Sequence, residues 1–406
     1  MNAFFYAFAN LAGPSTLKIK SLPQDFVVEE VSQLPLKGGN FAIYRLEKTR
    51  IGTLEALSQL AATWNIPRSQ IGYCGLKDRH AITTQLISIN HGPEQSTAAE
   101  TWHIDFIGKA KSELTAKHLS GNQFTVVIRD LNETSSEQLR TITTEEQGIP
   151  NYFDKQRFGS VTLDGQFAAV PWCKGDYEQA VFLALAERNP SDSKPEQEQR
   201  EILRENWGNW TLCKDLLARS NRRSVVTYLV DHPEGFKKAA ALIDRGMRSL
   251  YVSAFQSRLW NEVTSQLLLE QFPDSLELTD ATDPRGKLVF PISGNCKEEL
   301  EMATIPLPSG RNTRWPPKVK QALASVLSEY DLELHKLRIS HPRDVFFSRA
   351  SRSVWLDYQH ISAELSDDEV YDGKQKLTLK FRLKPGQYAT LALRAWERRL
   401  ATLKEE

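Results

Sequence analysis

The sequence has few cysteines, and its four cysteines, Cys74, Cys173, Cys213 and Cys296, are far apart. They form no CxxC pair, so we expect neither a zinc site nor a disulfide framework, and free thiols fit a reducing compartment. A P-loop and a GxGxxG motif are also missing. The sequence therefore predicts chemistry that uses no cofactor and no metal.

Long apolar runs and an excess of one charge are missing as well. No stretch approaches the roughly 20 apolar residues of a membrane span. The short aromatic segment 1–10 has no basic region, which argues against a cleaved signal peptide, so we expect a cytoplasmic protein without a membrane partner. Lys plus Arg and Asp plus Glu are equal at 51 each, so any nucleic-acid-binding surface must be local.

The composition and the order of patterns indicate a folded chain of more than one domain. The 406 residues allow two or three domains, and 40% hydrophobic with 25% charged residues is typical of a globular protein. Periodicity predicts strands at 25–30, 85–89, 124–129 and 377–383, helices at 53–64 and around 252–263, and a turn at Gly121-Asn122. A helix-rich middle between strand-rich ends favours a domain inserted into a sheet domain.

The segment 72–85, GYCGLKDRHAITTQ, is the most informative part of the chain. It places Asp78 between Lys77 and Arg79 in a tight loop before a strand-like stretch. An arbitrary Lys-Asp pair is commonly a surface ion pair, but flanking cations favour the charged form of a carboxylate. An ionised carboxylate with no second acid nearby in the sequence suits nucleophilic or general-base work better than general-acid work.

The segment 150–159, PNYFDKQRFG, carries four side chains that could face a base or a phosphate: Asn151, Phe153, Gln156 and Arg157. An aromatic ring beside an amide suits a flipped base, which is stacked on its face and hydrogen-bonded on its edge. A packed aromatic loop is an equally good interpretation of the same residues.

Two further segments are weaker on their own. In 383–390, LKPGQYAT, a Pro-Gly turn precedes Tyr388, whose ring could be presented to a ligand. Lys20 leads into the first predicted strand, which bears Phe26. Taken alone, these are a turn, a solvated lysine and a core phenylalanine.

Taken together, the segments resemble the TruD family of pseudouridine synthases in order along the whole chain. GLKDRHAITTQ is similar to the family's catalytic motif AG-x-KD-[RK]-[RH]-A-[VI]-T, and PNYFDKQRFG to its PNYFG-x-QRFG motif. DFVVEE at 25–30, GNQFTVVIRD at 121–130, SAFQSRLWN at 253–261 and LKPGQYAT are similar to further family segments. The KD and QRFG motifs are specific to this family.

The resemblance implies roles for individual residues. Asp78 matches the catalytic aspartate, and Lys20 the basic residue near it. Phe153 stands at the aromatic that replaces the tyrosine of other pseudouridine synthases. The substrate-binding residues that we predict are Phe26, Asn151, Phe153, Tyr388, Lys77 and Arg157. The basic residues expected to hold the RNA are Lys77, Arg79, Arg157, Arg343, Arg349, Arg352, Arg382, Lys384 and Arg394.

Three positions depart from the family pattern. Cys74 stands where the motif commonly has Ala, and Tyr388 where it often has Phe. Asp154 replaces a Gly and is expected to add negative charge near an RNA-binding loop. None of the three removes a group that the reaction needs.

The implied fold is α+β. It comprises a pseudouridine-synthase catalytic domain, 1–159 and 341–406, with a mixed or antiparallel sheet flanked by helices, and an inserted TRUD α/β domain, 160–340. The implied activity is isomerisation of a uridine in tRNA, at position 13 in bacterial members, with tRNA in the cleft between the lobes and no obligate protein partner.

Two other classes of protein are alternatives to this interpretation. One is a catalytically idle RNA-binding protein or tRNA chaperone on the same fold, and the intact Lys77-Asp78 pair argues against it. The other is a carboxylate hydrolase. Such an enzyme normally needs a second, paired Asp or Glu, and none appears here in a comparable motif. Whether Asp78 attacks C1′, attacks C6 or removes a proton at C2′ stays open at this point.

Overall fold

The computed structural model describes residues 17–79, 81–145, 148–277, 283–291, 303–312 and 314–405. His80, Cys296 and the N-terminal segment 1–10 lie outside the described residues. The chain divides into two compact units. We call Ser15–Glu146 with Leu356–Glu406 the sheet unit, and Gln147–Trp355 the helical unit.

The strands of the described residues, in chain order, are β1 Lys18–Ile19, β2 Phe26–Ser32, β3 Phe41–Thr49, β4 Ile71–Tyr73, β5 Ile82–Asn90, β6 Thr97–Ala99, β7 Trp102–Ala110, β8 Leu119–Leu131, β9 Leu276–Glu277, β10 Val289–Phe290, β11 Thr304–Pro306, β12 Ser351–Ser353, β13 Tyr358–Asp367 and β14 Gln375–Leu383. The helices are α1 Thr53–Thr63, α2 Glu133–Thr144, α3 Ala169–Lys174, α4 Tyr177–Leu185, α5 Lys194–Glu205, α6 Trp210–Leu216, α7 Asn221–Asp231, α8 Phe236–Leu242, α9 Arg245–Gln271, α10 Pro317–Ser328 and α11 Ala389–Glu405.

The sheet unit is built on one mixed sheet. Its strand order is β13-β14-β8-β2-β5-β3-β7-β6, with β1 also paired to β8 and β4 to β5. Strands β2 and β5 run parallel, and the remaining pairs described for this sheet are antiparallel. The last two strands of the chain thus complete a sheet begun by the first eight. The predicted α+β fold with a mixed sheet and flanking helices is confirmed.

Alternating apolar residues place the core of the sheet unit. The predicted helix at 53–64 is present as α1, which buries Leu57 and Leu60 against Tyr44 and Ile87 of the sheet. The C-terminal strand β14 buries its alternate side chains, and Trp396 of α11 packs its ring edge-on to Phe381. Burial of this alternate set is what the period-2 pattern of 377–383 predicts.

The turn predicted at Gly121-Asn122 is wrong. Both residues lie inside the 13-residue strand β8, where Gly121 pairs with Val31 of β2 and Asn122 with Leu383 of β14. A Cβ on Gly121 would lie 2.5 Å from the main-chain oxygen of Leu383. The glycine is therefore explained by a close approach of two strands rather than by a turn.

The helical unit is organised around the 27-residue helix α9. This helix is buried on several sides, with Phe255, Leu259 and Trp260 fully enclosed, because α3 and α10 both pack against it. A hydrophobic pattern all round a helix is what such central burial requires. No helix in the described ranges combines the length and the apolar character that crossing a membrane demands.

The boundaries of the compact units and the predicted domain boundaries differ. The sequence motifs predict changes at 159/160 and 340/341, whereas the units change at 146/147 and 355/356. The segments 147–159 and 341–355 therefore pack within the helical unit. A main-chain hydrogen bond of 2.7 Å from Asn151 N to Val354 O ties these two segments to each other.

Candidate active site

The predicted site residues are divided between the two units. The sheet unit holds Lys20, Phe26, Lys77, Asp78 and Tyr388, and the helical unit holds Asn151, Phe153 and Arg157.

Asp78 lies in the loop that joins β4 to β5. These two strands pair antiparallel, so the loop closes a hairpin at the start of β5. Strand β2 runs parallel to β5, and Val27 is paired with Ile82. The parallel pairing brings the start of β2, and with it Phe26, to the same end of the sheet as the Asp78 loop.

The main chain of this loop is fixed by two buried polar side chains. Thr53, at the start of α1, accepts a hydrogen bond of 2.9 Å from Lys77 N and donates one of 3.1 Å to Gln85 Oε1. Gln85, on β5, donates in turn to Gly75 O at 3.1 Å. A loop whose main chain is held at two points in this way can aim a side chain that it carries.

Lys48, on β3, holds the loop at Asp78 itself. Its side chain is buried, with 1% of the residue exposed, and Nζ donates 2.8 Å hydrogen bonds to the main-chain oxygens of Asp78 and Ile51. The pKa of Lys48 is lowered to about 8, chiefly by burial; attraction by Asp78 opposes this effect, and the charges of Lys77 and Arg79 add to it.

Sequence reasoning missed Lys48. The signal was present, because Ala42, Tyr44, Leu46 and Lys48 alternate along β3 and the first three are apolar core residues. A lysine on the inward face of an alternating strand is unusual, since lysine is almost never fully buried unless it is paired.

Lys77 points to a different partner. Its Nζ lies 2.6 Å from Glu30 Oε2, and the two side chains are only 5% and 0% exposed. Glu30 also accepts a hydrogen bond of 2.5 Å from Ser32 Oγ. The ammonium group of Lys77 is therefore engaged with a buried carboxylate on β2, and its predicted contact with substrate stays a prediction.

Lys20 lies on the Phe26 ring, and its charge interacts with the charge of Asp78. The Nζ atom of Lys20 lies 4.1 Å from the centroid of the Phe26 ring, within cation–π range. Its backbone φ is 63°, a left-handed conformation that is uncommon for lysine. Burial lowers the pKa of Lys20, and attraction by Asp78 opposes that effect. The structure thus groups Asp78 with Lys20 and Phe26, and their catalytic and substrate-binding roles stay predictions.

Tyr388 is half-buried in the turn between β14 and α11, where its main-chain oxygen accepts from Leu391 N at 3.2 Å. It belongs to the same unit as Asp78. Its contact with a uridine stays a prediction.

In the helical unit, the amide of Asn151 is hydrogen-bonded at both ends. Nδ2 donates to Ser353 O at 3.0 Å, and Oδ1 accepts from Arg352 Nη2 at 2.7 Å. Asn151 is 2% exposed. This side chain fixes the segment 147–159 to the segment 341–355, so reading a base edge would require it to exchange partners.

Phe153 is packed among two guanidinium groups and an indole ring. The Cζ atoms of Arg352 and Arg157 lie 4.0 Å and 5.4 Å from its ring centroid, and Trp260 packs edge-on at 5.7 Å. Asn261 of α9 bonds both main-chain polar groups of Phe153. The residue is 7% exposed, so stacking a base on its ring would require an arginine to move.

The charge of Asp154 lies in the interior of the helical unit. It is buried, and Oδ1 accepts a 2.8 Å hydrogen bond from Arg285 Nη1. Arg285, fully enclosed, also bonds Asp283 at 2.8 Å. The expected negative charge near an RNA-binding loop is thus balanced inside the unit.

The described residues hold no group of three or more His, Cys, Asp or Glu side chains arranged to bind a metal ion. The described cysteines, Cys74, Cys173 and Cys213, are free and buried. Burial raises the pKa of Cys74 and of Cys173 to about 12, which disfavours a reactive thiolate at either position.

Comparisons with known proteins agree with this architecture. The tRNA pseudouridine synthase D (TruD) family model matches residues 6–396. A probable tRNA pseudouridine synthase D 1 of Methanococcus maripaludis is 30% identical over 393 residues, covering 93% of this chain and 98% of the relative. A tRNA pseudouridine synthase D of Leptospira interrogans is 29% identical over 394 residues, covering 93% and 95%.

A solved structure from Methanosarcina mazei, described as a putative tRNA pseudouridine synthase D, superposes with a TM-score of 0.68 at 22% identity and covers 95% of this chain and 94% of that one. The fold is therefore that of a pseudouridine synthase, and the family match makes the chain an isomerase. The chain belongs to the TruD family of tRNA pseudouridine synthases, which convert uridine to pseudouridine in tRNA.

Proposed function

We propose that this enzyme isomerises uridine 13 of tRNA and that Asp78 is its nucleophile. The observation that carries the proposal is the construction of the Asp78 loop. Its main chain is fixed by Lys48, Thr53 and Gln85, while Lys20 lies on the Phe26 ring within the field of Asp78. A held backbone with cations around a carboxylate is the arrangement that nucleophilic or general-base work needs.

The reaction exchanges an N-glycosidic bond for a C-glycosidic bond. Uracil must detach from C1′, turn over and reattach through C5, so no atom or electron enters from outside. The carboxylate of Asp78 starts this sequence at C1′, at C6 or at the C2′ proton, and each route needs it ionised. The ammonium group of Lys20 stabilises negative charge that develops on the detached base.

The remaining predicted residues support binding. Phe26 and Tyr388 supply rings on the sheet unit. On the helical unit Arg157 supplies a cation, and the Phe153 ring can stack on a base once an arginine moves off it. Lys77 and Asn151 act indirectly in this proposal, because Glu30 and Arg352 occupy their polar groups. The reaction is redox-neutral and asks for no cofactor, and tRNA in the cytoplasm is the substrate that we assign to it.

The test uses purified enzyme and two tRNA transcripts, one with uridine and one with cytidine at position 13. The product is mapped by mass spectrometry. We expect Asp78→Asn to reduce single-turnover conversion by at least about 10⁴-fold, with tRNA affinity nearly unchanged, because phosphate contacts supply the affinity. Asp372→Asn, an exposed aspartate of the same unit, is the matched control.

The outcomes separate the parts of the proposal. Wild-type turnover in Asp78→Asn would remove the nucleophile assignment. Undiminished conversion of the cytidine-13 transcript at another uridine would remove the position but leave Asp78 in place. Loss of turnover in EDTA that added zinc or magnesium restores, with the RNA fold unchanged, would contradict a reaction without metal.

A further inference from the structure

Lys48 differs from the other cations around the Asp78 loop. Lys77 is paired with the buried carboxylate of Glu30, and Arg79 with that of Glu55 at the surface. The two hydrogen bonds of Lys48 Nζ go to main-chain carbonyls, at residues 51 and 78. A lysine that is 1% exposed and bonded in this way keeps a positive charge directly against the backbone of Asp78.

Burying that charge has no explanation in the packing of the core. Ala42, Tyr44 and Leu46 fill the same face of β3 with apolar side chains. An apolar residue at position 48 would continue the pattern without the desolvation that a buried ammonium group suffers. A buried, desolvated lysine beside a carboxylate is the kind of group that is often found at functional sites.

We propose that Lys48 is a positioning residue for the reaction, which clamps the backbone of Asp78 from the interior and sets the direction of its carboxylate. This inference rests on the proposed role of Asp78 and adds a second residue to it. The clamp joins the end of β3 to the loop before β5, so two elements of the sheet locate the nucleophile.

The expected consequence follows from geometry. The hydrogen bond fixes the main chain at the residue that bears the nucleophile, and a displacement of about 1 Å at a reacting group can reduce the rate about 100-fold. Binding of tRNA draws on many phosphate contacts elsewhere and is not expected to change. Loss of the clamp should therefore reduce the rate of the chemical step and leave affinity alone.

The clamp should also weaken in alkaline solution. Asp78, Lys77 and Arg79 are the charged groups that act on Lys48, and Glu30 and Glu55 balance the last two. The neutral amine is a weaker donor than the ammonium group and carries no charge toward Asp78. We expect the single-turnover rate of the wild-type enzyme to decline above about pH 8, where Lys48 loses its proton.

The experiment compares Lys48→Met, Lys48→Arg and the wild-type enzyme in single-turnover assays at saturating enzyme. Lys109→Met is the control, because Lys109 is a partly exposed lysine on the neighbouring strand β7, paired with Glu94. For Lys48→Met we expect a rate reduced about 100-fold with the half-saturating enzyme concentration within about threefold of wild type. Lys48→Arg should keep more of the rate, and its alkaline decline should move to higher pH.

Three results would overturn the inference. They are a Lys48→Met enzyme that is folded and keeps its rate within about threefold, a wild-type rate that is flat from pH 7 to 9.5, or an alkaline decline that is the same in Lys48→Arg. The last comparison cancels the ionisation of uridine, which both enzymes share. Asp78→Asn is assayed in parallel: if it turns over, the proposed function fails, and if only Lys48→Met turns over, the clamp alone fails.

Discussion

The loop of Asp78 and the segment 150–159 both carry family motifs, but they are built in opposite ways. Around Asp78, buried side chains hold the main chain through its carbonyl and amide groups, and Asp78 itself is half-exposed. In 150–159, the motif side chains are themselves the support: Asn151 joins two segments and Phe153 packs against Trp260. Substitution of Asp78 should therefore change the chemistry, whereas substitution around Phe153 should change stability first.

The buried cations of the two units also differ, in the kind of group that each one contacts. Arg285 in the helical unit faces the two carboxylates of Asp154 and Asp283. Lys48 in the sheet unit faces two main-chain carbonyls. A balanced cluster stabilises only while all its members are present, whereas a buried ammonium group bonded to neutral carbonyls opposes folding while it is charged. The two kinds of site are thus expected to respond differently to substitution and to pH.

The largest stability effect is expected at Arg285. Arg285→Met removes the cation from two buried carboxylates, and breaking such a cluster should lower the free energy of unfolding by about 3–5 kcal/mol. Urea denaturation followed by circular dichroism measures the change. Asp78→Asn, the counterpart in the sheet unit, should stay within about 0.5 kcal/mol of wild type. A loss below 1 kcal/mol in Arg285→Met would remove the proposed contrast between the units.

The next effect is a pH dependence at Lys48. Its folded-state pKa, about 8, lies below the ordinary lysine value of 10.5, so the unfolded state binds more protons between these limits. Stability of the wild-type protein relative to Lys48→Met should therefore rise with pH from about 8 to 10.5, by about 3 kcal/mol in all at 1.36 kcal/mol for each pKa unit.

Denaturation of both proteins at pH 7, 8, 9 and 10 measures that difference directly. Taking the difference between the two proteins cancels the titration of Lys20 and the tyrosines, which both share. A constant difference over the range would mean that Lys48 is not destabilised by burial, and the contrast with Arg285 would then be lost.

The sequence predicts those parts of the fold and of the candidate site that depend on residues close together along the chain. Helix α1 and strand β14 follow from local periodicity, and Asp78 follows from its motif. The grouping of Lys20, Phe26 and Asp78 depends on the parallel pairing of β2 and β5, which no local pattern encodes.

The errors have the same origin. The Gly121-Asn122 pair predicts a turn, but the glycine is explained by its close approach to the Leu383 main chain, far away in the sequence. The sequence predicts that Asp154 adds negative charge near an RNA-binding loop, because its partner, Arg285, lies 131 residues further along the chain. Pairwise burial of this kind requires the tertiary structure, so charge near a motif cannot be judged from the motif alone.

A smaller loss of stability is expected at Arg352. Its guanidinium group donates to Asn151 O at 2.7 Å and to Tyr152 O at 3.0 Å, and it lies over the Phe153 ring. Arg352→Met should lower the free energy of unfolding by about 2 kcal/mol, from unpaired buried acceptors and a lost cation–π contact. Arg352→Lys should recover little of this, because an ammonium group cannot reproduce the planar fork. Full recovery in Arg352→Lys would show that charge, and not geometry, holds the motif.

The smallest effect tests which unit contacts the tRNA backbone. Among the basic residues predicted to bind RNA, Lys77 is paired with the buried Glu30 and Arg352 is bonded to the buried Asn151, so neither is a clean probe. Two pairs serve better. They are Arg343 with Arg349, exposed in the helical unit, and Arg382 with Lys384 on the sheet unit, where Lys384 has a surface ion pair with Asp357.

Each pair is changed to glutamine, and tRNA affinity is measured from 50 to 300 mM salt, with Lys194 and Arg204 of α5 as the exposed control pair. Each phosphate contact that is lost should lower the slope of log affinity against log salt by about one, so a pair that binds phosphate should lower it by about two. The alternative for the same residues is a set of surface ion pairs worth about 0–1 kcal/mol each, which would leave the slope unchanged. If one pair alone lowers the slope, its unit carries the phosphate contacts. The Asp78 loop and the segment 150–159 would then differ in RNA binding as well as in construction. If both pairs lower it, each unit binds backbone and the division is confined to the chemistry. If neither differs from the control, these residues do not contact RNA, and the role of Asp78 must then be judged from turnover alone.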